Sequence, residues 1–224
     1  MELLEAIKSR KSIRGYKPTP VSREVLAEIL EIAIHAPSNT NTQPWEFTIL
    51  GGKVLNNLKQ ALQEQFRAGV EPQPDFPFKA LTGVYRKRQV ELGISLYQLM
   101  GIAREDREKR DRWTLKMLRA FDAPNAIIIA MDEEISSTQD LQAMFSVGTV
   151  SQTIALAAVE FGLGTCIHQA LINYPKVVRQ IASIPDSKKL VIGIVVGYPD
   201  WDFAANKLQS TREPLDNIVT WQGM

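Results

Sequence analysis

Cysteine and histidine are scarce in this chain of 224 residues: there is one cysteine, Cys166, and two histidines, His35 and His168. A lone cysteine excludes an internal disulfide and any zinc site built on paired thiolates. Two isolated imidazoles do not form a ligand cluster, so no metal is expected. An excess of one charge sign is also missing. The 26 Lys+Arg stand against 25 Asp+Glu, for a formal net charge of +1. Nucleic-acid binders carry a basic excess or stripe. The densest charge run here, Arg104 to Arg112, alternates in sign and reads as a solvated helix surface. The N-terminal residues Met1-Glu2-Leu3-Leu4-Glu5 lack the basic start and apolar run of a signal peptide. The most apolar long stretch, Ala143 to Val159, is interrupted by Ser146, Thr149, Ser151, Gln152 and Thr153. That pattern marks a buried helix, not a membrane span. The expectation is a cytoplasmic protein with neither nucleic-acid nor membrane partners.

The common catalytic signatures are absent as well. There is no G-x-G-x-x-G dinucleotide turn, no G-x-x-x-x-G-K-[ST] phosphate loop and no G-x-S-x-G elbow. An enzyme lacking all of these is expected to rely on a bound cofactor for its chemistry.

Hydrophobic periodicity places the elements. A short amphipathic helix runs from Leu3 to about Arg10. Ser22 is a good N-cap for a second helix, in which Val25, Leu26, Ile29, Leu30 and Ala33 repeat at helical spacing. Strands are predicted over Glu46 to Leu50, Ala126 to Ala130, Gly164 to Gln169 and Leu190 to Val196. Further helices are predicted over Val54 to Ala68, Gln89 to Arg104, Asp106 to Arg119 and Thr138 to Phe161, and over Tyr174 to Ile181, which Pro175 opens. Gly69 to Phe78, with Pro72, Pro74 and Pro77, reads as a structured excursion within one domain spanning 1–224. After Pro199 the periodicity ends. The remaining tail has no core of its own and must lie on this subunit or on a partner. Several helices and four or so strands, not strictly alternating, indicate an α+β fold with helices covering one sheet.

Four segments are candidates for function. Arg10, Lys11, Ser12 and Arg14 could hold a phosphate monoester, which wants several charged donors and a hydroxyl. On local sequence alone the leading reading is instead basic residues completing a helix C-terminus. Pro37 to Trp45 is dense in short amides and hydroxyls, suited to a planar heterocycle or to a capped turn. Phe161 to Gln169 carries two glycines that let backbone approach a ligand. Within it His168 is either a ligand contact or a satisfied core residue, and Cys166 reads as a buried small residue. Arg212, after Ser210, is a phosphate ligand or a surface arginine.

Taken in order, Arg-Lys-Ser-x-Arg near 10, Pro-Ser-Asn-x-Asn-x-Gln-Pro-Trp near 40, Gly-Leu-Gly-Thr-Cys near 164, Gly-Tyr-Pro-Asp at 197–200 and Arg-x-Pro-Leu-Asp at 212–216 resemble the FMN-dependent nitroreductase family over essentially the whole chain. The tail is most similar to the branch containing nitrobenzoate and nitroaromatic reductases. Lys11 departs from the pattern, since arginine is frequent there, and Ile167-His168-Gln169 adds no further glycine.

The resemblance implies an α+β homodimer with a central mixed sheet wrapped by helices. It implies a C-terminal tail, about 199–224, exchanged between subunits, and a helical excursion, about 69–121, over the active site. It also implies FMN as cofactor and NAD(P)H as electron donor, with ping-pong hydride transfer through the flavin N5. The acceptor would be a small aromatic such as a nitroarene; a quinone, enone or halogenated phenol on the same fold, or a non-catalytic flavin-binding protein, are the alternatives. By motif, Arg10, Ser12, Ser210 and Arg212, assisted by Lys11, would hold the FMN phosphate, and Arg14 would face the pyrimidine edge. Ser38, Asn39 and Asn41 would approach the flavin of the other subunit. The backbone of His168, Gln169 and Ala170 would border N5. No protein residue is required as a catalytic acid. Tyr97, Trp113 and Phe121 are candidate substrate lids.

Overall fold

In a computed structural model describing residues 2–224, four strands form one sheet in the order β1-β2-β4-β3. They are β1 (Glu46–Gly51), β2 (Asn125–Asp132), β3 (Gly164–Ile167) and β4 (Lys188–Gly197). All three strand pairings are antiparallel. The parallel component of the expected mixed sheet is a single bridge outside the strands, between Ser12 and Thr165. A four-residue β3 leaves room beside it for only this short extended arm.

The two central strands are apolar from Ala126 to Met131 and from Leu190 to Val196, because both faces of the sheet are covered there. Side chains of β2 alternate between faces, as strand geometry dictates. Ile127 and Ile129 meet α2 (Arg23–Ala33) and the long α7 (Asp140–Glu160). Ala126, Ile128 and Ala130 point the opposite way, toward α3 (Gly52–Arg67), α5 (Arg107–Leu118) and α8 (Pro175–Ala182). The result is three layers, helix–sheet–helix. A register shift between Ile129 and Ala130 bulges β4 at Val191.

Local chemistry sets the helix ends. Ser22 accepts a hydrogen bond from the Val25 amide at 3.3 Å, the capping contact its side chain is suited to make. Asp132 accepts from the Glu134 amide and starts α6 (Glu133–Thr138), which breaks at Gln139 before α7 begins. Pro175 opens α8, where its missing N–H costs nothing. α7 is long and apolar enough by composition to cross a membrane, yet Val147, Val150, Ile154 and Ala158 are buried in the core.

Two segments leave this body. The proline-rich stretch after α3 is pinned to the core. Asp75 accepts from the Leu190 amide at 2.7 Å and pairs with Arg179, and the Gln73 amide donates to the Asn173 carbonyl. Beyond it, α4 (Gly83–Leu99) buries only Leu96. The tail begins on its own chain. Ala205, Asn206 and Leu208 are buried, and Glu213 pairs with Arg88 of α4 at 2.7 Å. From Leu215 on, the apolar residues Leu215, Ile218 and Trp221 are exposed.

Candidate active site

The N-terminal basic motif leaves helix α1 (Leu3–Ser9) at Arg10 and continues as an extended arm along β3. The Ile13 amide donates to the Thr165 carbonyl at 2.9 Å, and the Ile13 side chain is buried. In an extended segment alternate residues share a face. Arg10, Ser12 and Arg14 are therefore set opposite Ile13. All three act on the Cys166 thiol: burial pushes its pKa up, while Arg14, a hydrogen bond from Ser12 and Arg10 oppose that rise. A buried thiol kept protonated is no nucleophile.

The arm is held from the other side by the tail. Asn206, 1% exposed, accepts from the Arg14 amide at 2.6 Å and donates to the carbonyls of Gly15 and Asp200 at 2.8 and 2.7 Å. Lys11 lies over the Trp201 ring, 5.4 Å from its centre. No ion pair among the described residues involves Arg10, Lys11 or Arg14. Cations left without carboxylates, beside a hydroxyl and on an arm braced at both sides, fit the requirements of a phosphate monoester.

After β3 the chain turns through His168 into a 3₁₀ turn, Gln169–Ile172. The His168 amide donates to the Gly193 carbonyl at 2.6 Å. Gly193 is required there, because a Cβ would sit 2.8 Å from the Leu171 Cβ and 3.1 Å from the His168 carbonyl. The His168 ring is buried. Its Nε2 lies 2.8 Å from the Met117 carbonyl of α5, and its ring stacks 4.7 Å from Phe121 at a 44° tilt. Burial lowers its pKa to about 4; the Met117 carbonyl opposes that shift and Arg14 adds to it. The imidazole is thus neutral near pH 7, with an Nε2 proton for Met117. Of the two readings left open for His168, the geometry supports the core residue for the side chain, while its backbone and those of Gln169 and Ala170 form the loop beside the basic arm.

The other expected residues lie apart from this cluster. Ser38 accepts from the Gln43 amide at 3.0 Å, and the Asn39 amide donates to Ser146 of α7 at 3.2 Å. With Leu141 and Phe145 these residues line a surface pocket on the α7 side. Thr40, Asn41 and Gln43 have φ of 47°, 58° and 45°, the left-handed region that non-glycine residues rarely adopt. Strain of this kind collects where a backbone must be held for a task. Arg212 donates to Ser210 Oγ at 2.7 Å, and both line a groove against α4 with Arg88; no hydrogen bond or ion pair among the described residues joins them to Arg10 or Ser12. Trp113 and Phe121 are buried, 5.8 Å apart, and only Tyr97 is half-exposed toward a groove. Asn206, which braces the arm, was not singled out as a site residue from sequence. A lone asparagine carries no periodic signal, and its partner Arg14 lies 192 positions away.

Known proteins share this architecture. The chain is similar to nitroreductase NfnB of Mycolicibacterium smegmatis, 30% identical over 95% of this chain and 89% of the relative. It is likewise similar to the 4-nitrobenzoate reductase of Pseudomonas putida, 30% identical over 97% of this chain and 94% of the relative. Among solved structures, the FMN and NADPH-dependent nitroreductase NfnB from Sphigopyxis sp. strain HMH superposes with a TM-score of 0.94 at 30% identity, each chain covered in full. The M. smegmatis NfnB in complex with NADPH gives 0.91 at 28% identity, over 98% of this chain and 97% of that one. The family model described as the Nitroreductase family matches residues 7–198, which takes in the basic arm, the Pro37–Trp45 loop and the turn after β3. The chain belongs to the nitroreductase family.

Proposed function

We propose that the protein is an FMN-dependent NAD(P)H oxidoreductase that reduces nitroaromatic or similar small planar acceptors. The observation that carries this reading is the arm Arg10-Lys11-Ser12-Ile13-Arg14. It is fixed to β3 and to Asn206, and its cations have no carboxylate partners among the described residues. Bound there, FMN would supply two-electron chemistry, accepting hydride from the nicotinamide and passing it to the acceptor in separate ping-pong half-reactions.

The protein's part is binding and orientation. Arg10 and Ser12 would hold the phosphate, each charge-assisted bond contributing about 1.5–3 kcal/mol, and Lys11, on the other side of the arm over Trp201, would assist only by swinging round it. Arg14 would sit by the flavin's pyrimidine edge, where a fixed cation favours the anionic reduced ring. The backbone of 168–170, locked by the Gly193 and Met117 contacts, would border the reacting face. No side chain here is placed to act as a general acid, so protons would come from solvent.

The same reading includes a homodimer. Leu3, Leu4 and Ile7 on α1 and Leu141 and Phe145 on α7 are exposed apolar residues, as are Leu215, Ile218 and Trp221 of the tail. Such surface is characteristic of an interface. A second copy would bring Ser38, Asn39 and Asn41 to a flavin that they do not meet within one chain. The direct test is the visible spectrum of the purified protein before and after anaerobic NADPH. Flavin bands that bleach and return on adding a nitroarene are expected. A colourless protein that does not take up FMN would refute the reading.

A further inference from the structure

Three consecutive residues that are not glycine, Ala120, Phe121 and Asp122, have φ of 55°, 53° and 65°. They form a left-handed turn between α5 and β2. A side chain in this region crowds its own backbone, so each such residue costs stability and runs of them are avoided. Three cations tie the turn down. Asp122 pairs with Arg119 at 2.8 Å and with Lys116 at 2.6 Å, and Lys59 of α3 donates to the Ala123 carbonyl at 2.6 Å. Strain persists where the surrounding structure over-determines a residue, and it gathers at functional sites.

The turn reaches both halves of the site. On one side the buried Phe121 ring meets Trp113 at 5.8 Å and His168 at 4.7 Å. The His168 ring is also held by the Met117 carbonyl, and His168 leads into the turn Gln169–Ile172 beside the basic arm. On the other side Asp122 holds Lys116, whose ammonium lies 4.5 Å from the centre of the Phe203 ring. Phe203 packs directly on Gly15, where a Cβ would fall 2.4 Å from that ring. Gly15 follows Arg14 on the arm, and its carbonyl accepts from Asn206.

We propose that the Ala120–Asp122 turn holds the two halves of the flavin site in register. Phe121 is a positioning residue that acts through His168, and Asp122 is one that acts through Lys116 and Phe203. The inference rests on the FMN reading above and adds to it residues that touch no ligand. The phosphate end and the ring end of one FMN must meet the arm and the loop at once. A site of this kind needs its contacting residues locked by a supporting layer, and a shift between arm and loop would weaken both ends together.

The test compares amide exchange and FMN affinity in Phe121→Leu, Asp122→Asn and the double variant, each as the full chain saturated with FMN. Leucine keeps the Phe121 site apolar, and asparagine tolerates the left-handed region. The control is Leu62→Ala, a fully buried core residue of α3 that takes no part in the contacts above. Phe121→Leu should speed exchange of the His168 amide, which bonds Gly193, at least tenfold relative to the amides of β2. Asp122→Asn should do the same for the Arg14 amide, which bonds Asn206. FMN affinity should fall at least tenfold in the first and at least threefold in the second. The double variant should lose less than the product of the two, because one register cannot be lost twice. The control should speed these amides no more than those of β2 and bind FMN as wild type does. The proposal is overturned if the site amides only keep pace with β2, if the control loses FMN equally, or if the two losses multiply. Should Phe121→Leu not fold, Asp122→Asn, at an exposed side chain, carries the test. A protein that takes up no FMN fails the reductase reading separately, and exchange without flavin still reports on the turn.

Discussion

The central sheet, with strands no longer than 10 residues, and the α4–α5 excursion, with helices of 17 and 12 residues, bury their residues very differently. In β2 every residue from Ala126 to Ile129 is fully buried, and each side chain meets a helix layer. In α4, seventeen residues long, only Leu96 is buried, while Val84, Tyr85, Ile94 and Leu99 are exposed. A helix cannot derive its stability from a face it does not bury. The sheet therefore carries the stability of the fold, and the excursion is free to present surface. The basic arm belongs to the first region, since it is hydrogen-bonded to β3.

The sharpest break of this contrast would be made in the sheet. Ile128→Ala empties a fully buried site in the cluster that also holds Leu58 and Ile172. Buried isoleucine-to-alanine changes cost about 2–5 kcal/mol, and about 4 kcal/mol is expected here because strand backbones cannot collapse into the void. Urea denaturation of the variant checks it. A loss below about 1 kcal/mol would mean that the sheet is not the stabilising layer.

A second test uses acid, at the point where the sheet side touches the excursion. His168 has a folded pKa of about 4 against an ordinary 6.5. Below pH 6.5 the unfolded chain takes up a proton that the folded chain refuses, so stability falls as pH drops from 6.5 toward 4. The difference of two to three pH units corresponds to on the order of 3 kcal/mol at the bottom of that window. Melting curves from pH 7 to 4.5 should therefore slope downward, and the slope should flatten in His168→Gln. An unchanged slope in the variant would assign the acid sensitivity to other groups.

Asn206→Leu should cost less stability, about 2 kcal/mol, and more function. It leaves the Arg14 amide without its acceptor, at about 1–3 kcal/mol for an orphaned buried group, while the Asp200 carbonyl keeps the Phe203 amide. Because the same bonds aim the basic arm, FMN affinity should fall as well, read by flavin retention on dialysis. Retained flavin with lowered stability would separate the brace from the cofactor site.

These residues also show which features the sequence makes legible. Ser22 and Pro175 were readable as helix starts because a cap or an N1 proline acts within its own first turn. The buried strands were readable because four consecutive apolar residues leave few alternatives. By contrast α6 goes unpredicted except for Thr138, since Glu133–Thr138 is polar and its only signal is the Asp132 cap. α4 begins six residues before its predicted start because Gly83–Arg88 has no apolar repeat to mark it. For the site, the motif order indicated the arm and the turn after β3. It did not show that Arg212 and Ser210 lie on α4, nor that Asn206 ties Arg14 to the tail. Contacts between positions 190 apart leave no trace in local pattern.

The smallest effect should come from the excursion, and its smallness is the point. Val84→Ser replaces an exposed residue, 50% accessible, in the first turn of α4. A surface change away from caps and packing alters stability by less than about 0.5 kcal/mol, or roughly 2 °C in Tm for a chain of this size. If Tm stays within that range at every protein concentration, α4 is surface in solution as it is in the single chain. If it falls further, and more so on dilution, the apolar side of α4 is covered by a second copy. The exposed Leu215, Ile218 and Trp221 of the tail would then be the first residues to mutate in search of the covering element, because they are the apolar groups that the tail does not bury on its own chain.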